Sequence, residues 1–161
     1  MKNKQLTVWI IGGIIGIVVG AFFFFTANDT QAGTPSFQVD TEKIELGEIA
    51  VQGDYPAEFN ITNTGDAPLE ISDVRTSCMC TYAEIIIGEE KSPEFNMVMH
   101  NSPQVRRWKD TVEPGESAVV RAIYKPHLMP VEGPVERSVI FTTNDPNNRE
   151  VELRISAIVQ K

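Results

Sequence analysis

Hydrophobic residues run in two different patterns along this chain. From Leu6 to Phe25 they form a continuous block of 20 residues with no charge, in which only Thr7 is clearly polar. At about 1.5 Å per helical residue such a block spans about 30 Å, the thickness of a bilayer's hydrocarbon core. Beyond it the pattern becomes alternating. Val151, Leu153, Ile155, Ala157 and Val159 are interleaved with Glu152, Arg154, Ser156 and Gln160, with Ile158 as the one apolar exception. That period of two predicts a half-buried strand. Ala57, Phe59 and Ile61 alternate in the same way with Glu58, Asn60 and Thr62. Leu69 and Ile71 follow the turn cluster Asn63-Thr64-Gly65-Asp66. Val119–Tyr124 and Val139–Thr143 predict two more strands, and Asn144-Asp145-Pro146-Asn147-Asn148 predicts the turn into the last one. No later stretch keeps a helical period. The expectation is six to eight short strands in an antiparallel β-sandwich behind a single helical anchor.

Charge sets the direction of that anchor. Lys2 and Lys4 precede the apolar block, and the first charges after it are Asp29, Asp40 and Glu42. The bias places the N-terminus in the cytoplasm and the domain outside, periplasmic or extracellular. A cleaved signal peptide is the rival, although its apolar core of 7–15 residues would be shorter. The organisation read here is a tail at 1–5, an anchor at 6–25, a linker at 26–36 and a sandwich at 37–161. Gly12, Gly16 and Gly20 line one helix face, which would let a second helix approach closely as a homodimer. Glycine is also common in membrane helices without that role. Beyond the anchor, 12 basic residues face 22 acidic ones. Such a surface argues against nucleic acid as a partner.

The run Phe59-Asn-Ile-Thr-Asn-Thr-Gly-Asp-Ala-Pro-Leu-Glu-Ile71 leads into Val74-Arg-Thr-Ser-Cys-Met-Cys-Thr81, and Glu113-Pro-Gly-Glu116 and Thr143-Asn-Asp-Pro146 follow later. Together these segments resemble the bacterial family known as domain of unknown function 1573, over roughly residues 42–159. The resemblance implies an immunoglobulin-type sandwich, related to hydin-like and major-sperm-protein-like domains, in an exported or membrane-anchored setting. It implies no established activity. Many members carry glycine between the two cysteines, where this chain has Met79.

Cys78 and Cys80 are the two cysteines of the chain. Were the segment an extended strand, their Cα atoms would lie about 6.7 Å apart, at ~3.3 Å per residue. That is the outer edge of the usual disulfide range of roughly 4.4–6.8 Å. Alternation would also turn both side chains to one face. The spacing therefore suits a metal ion or a reactive redox pair, with a disulfide and two inert core thiols as the competing fates. Apart from Met1, every methionine and both histidines lie between Cys78 and Met129. Thiolates and thioethers are soft donors that select Cu(I). Cys78 and Cys80 are expected to be the primary ligands, supported by Met97, Met99 or His100 from a long polar loop at 88–111. His127 and Met129 are further candidates, although Pro126 and Pro130 also fit a plain turn. Zinc suits the pair less well, because C-x-C is tighter than the usual zinc spacing and leaves the methionines unexplained. Methionine is also ordinary core filler.

No nucleophile elbow, phosphate loop or dinucleotide fingerprint is present in the sequence, and no enzyme is expected. Arg106, Arg107 and Trp108 form a small basic-aromatic patch that could meet an acidic partner or a lipid headgroup; the plainer reading is a loop whose tryptophan packs inward while its arginines stay solvated. Three functions remain: a Cu(I)-binding domain, a structural or protein-interaction module of the cell envelope, and a thiol redox protein. The last lacks the usual C-x-x-C and a thioredoxin-like βαβ pattern.

Overall fold

The computed structural model describes residues 33–160. The expected anchor and the glycines within it, Gly12, Gly16 and Gly20, lie outside the described residues. Among those residues no helix is long and apolar enough to cross a membrane.

The described chain is an all-β sandwich of two five-stranded sheets. The strands are β1 (Phe37–Val39), β2 (Lys43–Ala50), β3 (Tyr55–Asn63), β4 (Leu69–Thr76), β5 (Thr81–Ile87), β6 (Glu90–Lys91), β7 (Lys109–Val112), β8 (Ser117–Tyr124), β9 (Gly133–Thr143) and β10 (Glu150–Gln160). One sheet has the order β1-β3-β8-β5-β6 and the other β2-β10-β9-β4-β7. Alternation decides which face is buried. Val151, Leu153, Ile155, Ala157 and Val159 of β10 point into the core, and the exceptional Ile158 is exposed. Ala57, Phe59 and Ile61 of β3 meet them from the other sheet within the same apolar cluster.

Two expectations about the sheets need correction. Among the described residues there are ten strands rather than six to eight, because short edge strands such as β1 and β6 are too brief to show a period. The sheets are also not wholly antiparallel. β2 pairs parallel to β10, matching Ile44 with Ile155 and Ile49 with Val159. Parallel neighbours need a long crossover, and here everything from β3 to β9 serves as one.

Strand β4 shows why its alternation is hard to follow beyond Ile71. Its pairing with β9 shifts register between Ser72 and Arg75, and Asp73 takes φ 52°. Aspartate tolerates that left-handed conformation better than most residues. The bulge resets the pleat, so Leu69 and Ile71 are buried before it and Val74 and Thr76 after it.

The long polar segment at 88–111 carries short elements of its own. β6 occupies its start and Phe95 bridges back to Ala83. A one-turn helix, α1 (Pro103–Arg106), is capped by the Ser102 hydroxyl. Phe95 is buried and meets the Trp108 ring edge-on at 5.1 Å. Trp108 thus packs inward and Arg106 and Arg107 stay exposed, as the sequence suggests.

Candidate functional site: a disulfide at the crossover between sheets

β4 belongs to one sheet and β5 to the other, so residues 77–80 carry the chain across the sandwich. They form a turn, closed by the Thr81 N–H donating to the Cys78 carbonyl at 3.0 Å. The turn brings the two Cα atoms to 5.2 Å, and Cys78 and Cys80 are joined as a disulfide. The extended geometry that argued against a disulfide therefore does not apply. The chain must bend here to change sheets, and a bent chain shortens the gap that a strand would have held open.

The two sulfur environments differ sharply. Cys80 is 0% exposed and lies in the core, while Cys78 is half-buried at the surface. The Arg137 Nε–H donates to Cys80 Sγ at 3.3 Å, and its guanidinium lies 5.5 Å from the centre of the Tyr124 ring. The Tyr124 hydroxyl is buried with no hydrogen-bond partner among the described residues. Cys78 Sγ is 3.7 Å from Met129 Sδ.

Hydrogen bonds hold the turn independently of the S–S bond. Asn96 Nδ2 donates to the carbonyls of Met79 at 3.1 Å and Thr81 at 3.0 Å. The Thr76 hydroxyl is 3.0 Å from the Cys78 carbonyl and 2.9 Å from that of Thr81. The Lys125 N–H donates to the Cys80 carbonyl at 2.8 Å, continuing the β5–β8 ladder. Asn96 is itself fixed by Asn101, whose Oδ1 accepts the Asn96 N–H at 2.7 Å.

The structure sorts the expected metal ligands. Met129 follows a 3-10 turn, Pro126–Leu128, and reaches Cys78. His127 points elsewhere: its Nδ1 is 3.3 Å from the Gly53 carbonyl and 3.8 Å from Asp54 Oδ1. Met97 is half-buried and Met99 is 77% exposed, in the turn before His100. His100 lines a pocket of about 350 Å³ with Met79, Tyr82 and Asn96, and neither cysteine lines it. No group of three or more His, Cys, Asp or Glu residues that could hold a metal occurs among the described residues.

The sequence reading missed Arg137, although a signal for it exists. In β9, Val139, Phe141 and Thr143 are buried and Val135 is partly so. Alternation puts Arg137 on that same inward face, where a charge needs a partner. Asn96 and Thr76 were missed for a plainer reason. Their role depends on a turn that brings distant segments together.

Residues 37–100 match the model of the family described as Protein of unknown function (DUF1573), which spans the C-x-C turn and agrees with the resemblance read from the sequence. No curated protein matches the chain. Among solved structures, a protein of unknown function from Porphyromonas gingivalis W83 superposes with TM-score 0.57 and 18% identity, over 82% of this chain and 50% of that one. A family 123 glycoside hydrolase from Clostridium perfringens superposes with TM-score 0.53 and 8% identity, over 78% of this chain and 27% of that one. This chain thus spans half the length of the first and about a quarter of the second. At such low identity both likenesses concern the sandwich fold alone.

Proposed function

We propose that this protein is a thiol–disulfide exchange module, carried outside the cytoplasm on an immunoglobulin-like sandwich and tethered by the apolar block at 6–25. The observation that carries the reading is the asymmetry of the Cys78–Cys80 bond: Cys78 is only half-buried, while Cys80 is fully buried with its sulfur beside a guanidinium. Exchange proceeds by attack of a thiolate on one sulfur while the other leaves. An incoming thiolate from a partner protein reaches Cys78 Sγ and forms a mixed disulfide with it. The S–S bond breaks, and its electron pair stays on Cys80 as a thiolate. Arg137 stabilises that charge, because hydrogen bonds to ionised groups are the strong ones. A second partner thiolate then attacks the partner sulfur of the mixed disulfide and releases Cys78. The partner leaves oxidised by two electrons and this chain holds two reduced cysteines.

The rim of the site supports protein docking. Met79, Leu128, Met129 and Val131 are exposed apolar side chains beside the pair or in the segment that reaches it. Methionine-rich surfaces adapt to varied partners. The expected extracytoplasmic location suits a disulfide that persists in an oxidising compartment.

Incubating the oxidised protein with glutathione, quenching with acid and mapping the adduct tests the reading. A glutathione adduct on Cys78 is expected, formed roughly tenfold more slowly in Arg137→Met, equivalent to about 1.4 kcal/mol in the barrier. An adduct on Cys80, or a rate indifferent to Arg137, would overturn it.

A further inference from the structure

We infer that opening the disulfide creates a three-sulfur site for Cu(I), built from Cys78, Cys80 and Met129. It rests on the reading above only in requiring that the bond can be reduced. Met129 Sδ already lies 3.7 Å from Cys78 Sγ. Sulfur donors sit about 2.3 Å from a d¹⁰ ion such as Zn²⁺. Three of them arranged around one such ion are then about 4 Å apart. The methionine–cysteine spacing meets that geometry without adjustment. The two cysteine sulfurs, bonded to each other here, must move apart once reduced, and the half-buried Cys78 is the one with room to move outward.

Donor chemistry selects the ion. Two thiolates and a thioether are soft ligands. A closed zinc site needs four donors, and the two histidines that could have supplied them lie elsewhere, His127 against Gly53 and Asp54 and His100 in the pocket beside Met79. Charge fits as well. Cu(I) held by two thiolates carries a net charge of −1, and the Arg137 guanidinium beside Cys80 balances it. Met129 is placed by the 3-10 turn that precedes it, its N–H donating to the Pro126 carbonyl at 3.1 Å. Its 41% exposure gives the ion a way in.

The chemistry balances in two steps. A thiol or phosphine reductant supplies two electrons and converts the disulfide to two thiols. Cu(I) then binds and displaces two protons. The site is therefore gated by oxidation: the disulfide form has no thiolate to offer.

The test uses the full chain in detergent, reduced by a phosphine and titrated anaerobically with Cu(I) against a chromogenic chelator. One Cu(I) per reduced chain is expected, with X-ray absorption showing a shell of sulfur neighbours only. Affinity should fall at least tenfold in Met129→Leu and be lost in Cys78→Ser/Cys80→Ser. It should be unchanged in Met97→Leu/Met99→Leu and in His100→Ala. Met129 is a surface side chain, so Met129→Leu should keep the wild-type circular dichroism. Equal affinity of Met129→Leu and wild type, nitrogen or oxygen in the metal shell, or equal uptake by the oxidised chain would each overturn the proposal. A phosphine opens the disulfide whether or not protein thiols exchange with it. Failure to bind copper is thus separable from failure of the glutathione adduct.

Discussion

Two consecutive connections between the sheets are closed in different ways. Residues 64–68 take the chain from β3 to β4, and residues 77–80 bring it back to β5. The first is closed by hydrogen bonds alone. Asn63 is 0% exposed. Its Oδ1 accepts from the N–H groups of Ser36 and Gly65, and its Nδ2 donates to the carbonyls of Ala67 and Val112. Gly65 is packed so closely that a Cβ there would lie 2.2 Å from the Thr34 carbonyl oxygen. The second connection has a comparable set of hydrogen bonds, from Thr76, Asn96 and Lys125, and a covalent bond besides. That bond closes a ring of only three residues, so its stabilisation by chain entropy is small. The difference is that the disulfide adds only a little to a turn already held by hydrogen bonds. Such a bond can open at small cost to the scaffold.

The largest effect should come from breaking the first connection. Asn63→Ala leaves the buried Val112 carbonyl, the part-buried Ala67 carbonyl and two part-buried N–H groups without their side-chain partner. Each unsatisfied buried group costs about 1–3 kcal/mol, so a loss of at least ~3 kcal/mol is expected in urea unfolding. The second connection should give way less. Asn96→Ala takes a donor from the Met79 carbonyl and one of two donors from the Thr81 carbonyl, which keeps the Thr76 hydroxyl, and is expected to cost about 2 kcal/mol. Removing the covalent bond, by reduction or by Cys78→Ser/Cys80→Ser, should cost only about 1–2 kcal/mol and leave the circular dichroism of the sandwich in place. A loss on the scale of Asn63→Ala would show that the disulfide is structural after all.

The smallest effect sharpens the comparison from its first side. Asp145 lies in the turn before β10 and fastens the N-terminal end of β1. Burial pushes its carboxyl up, but the Asn148 side chain and the N–H groups of Phe37 and Asn147 outweigh burial and hold it below the ordinary carboxylate range. A carboxyl lowered in the folded state stabilises the protein above its unfolded value, about pH 3.9. That contribution disappears as pH falls through the lower folded value. Acid unfolding of Asp145→Asn should therefore be shallower below pH 4 than that of the wild type, while the reactivity of Cys78 at neutral pH is unchanged.

Much of the sandwich is legible in the chain because a strand with one buried face must alternate. β3 and β10 show that rule directly, and Ile158, the one residue to break it, is the one left in solvent. β4 is legible only to Ile71, since its bulge at Asp73 shifts the buried set by one residue. The parallel pairing of β2 with β10 joins residues about a hundred positions apart, and no local pattern encodes that. The cysteine pair stands out as a site from composition. Its geometry does not, because an extended segment and a sheet-to-sheet turn have the same residue spacing but different Cα distances.

The linear order of residues by itself determined the strands, most of the core and the place where the chemistry would be sought, since burial periodicity and residue type are local properties. Tertiary structure decided which groups meet there. It bent residues 77–80 into a turn, set Arg137 against one sulfur and Met129 against the other, and sent His127 and His100 elsewhere. Those contacts join the turn at 77–80 to residues 51 and 57 positions further along the chain, and only the packing of one sheet on the other brings them within reach.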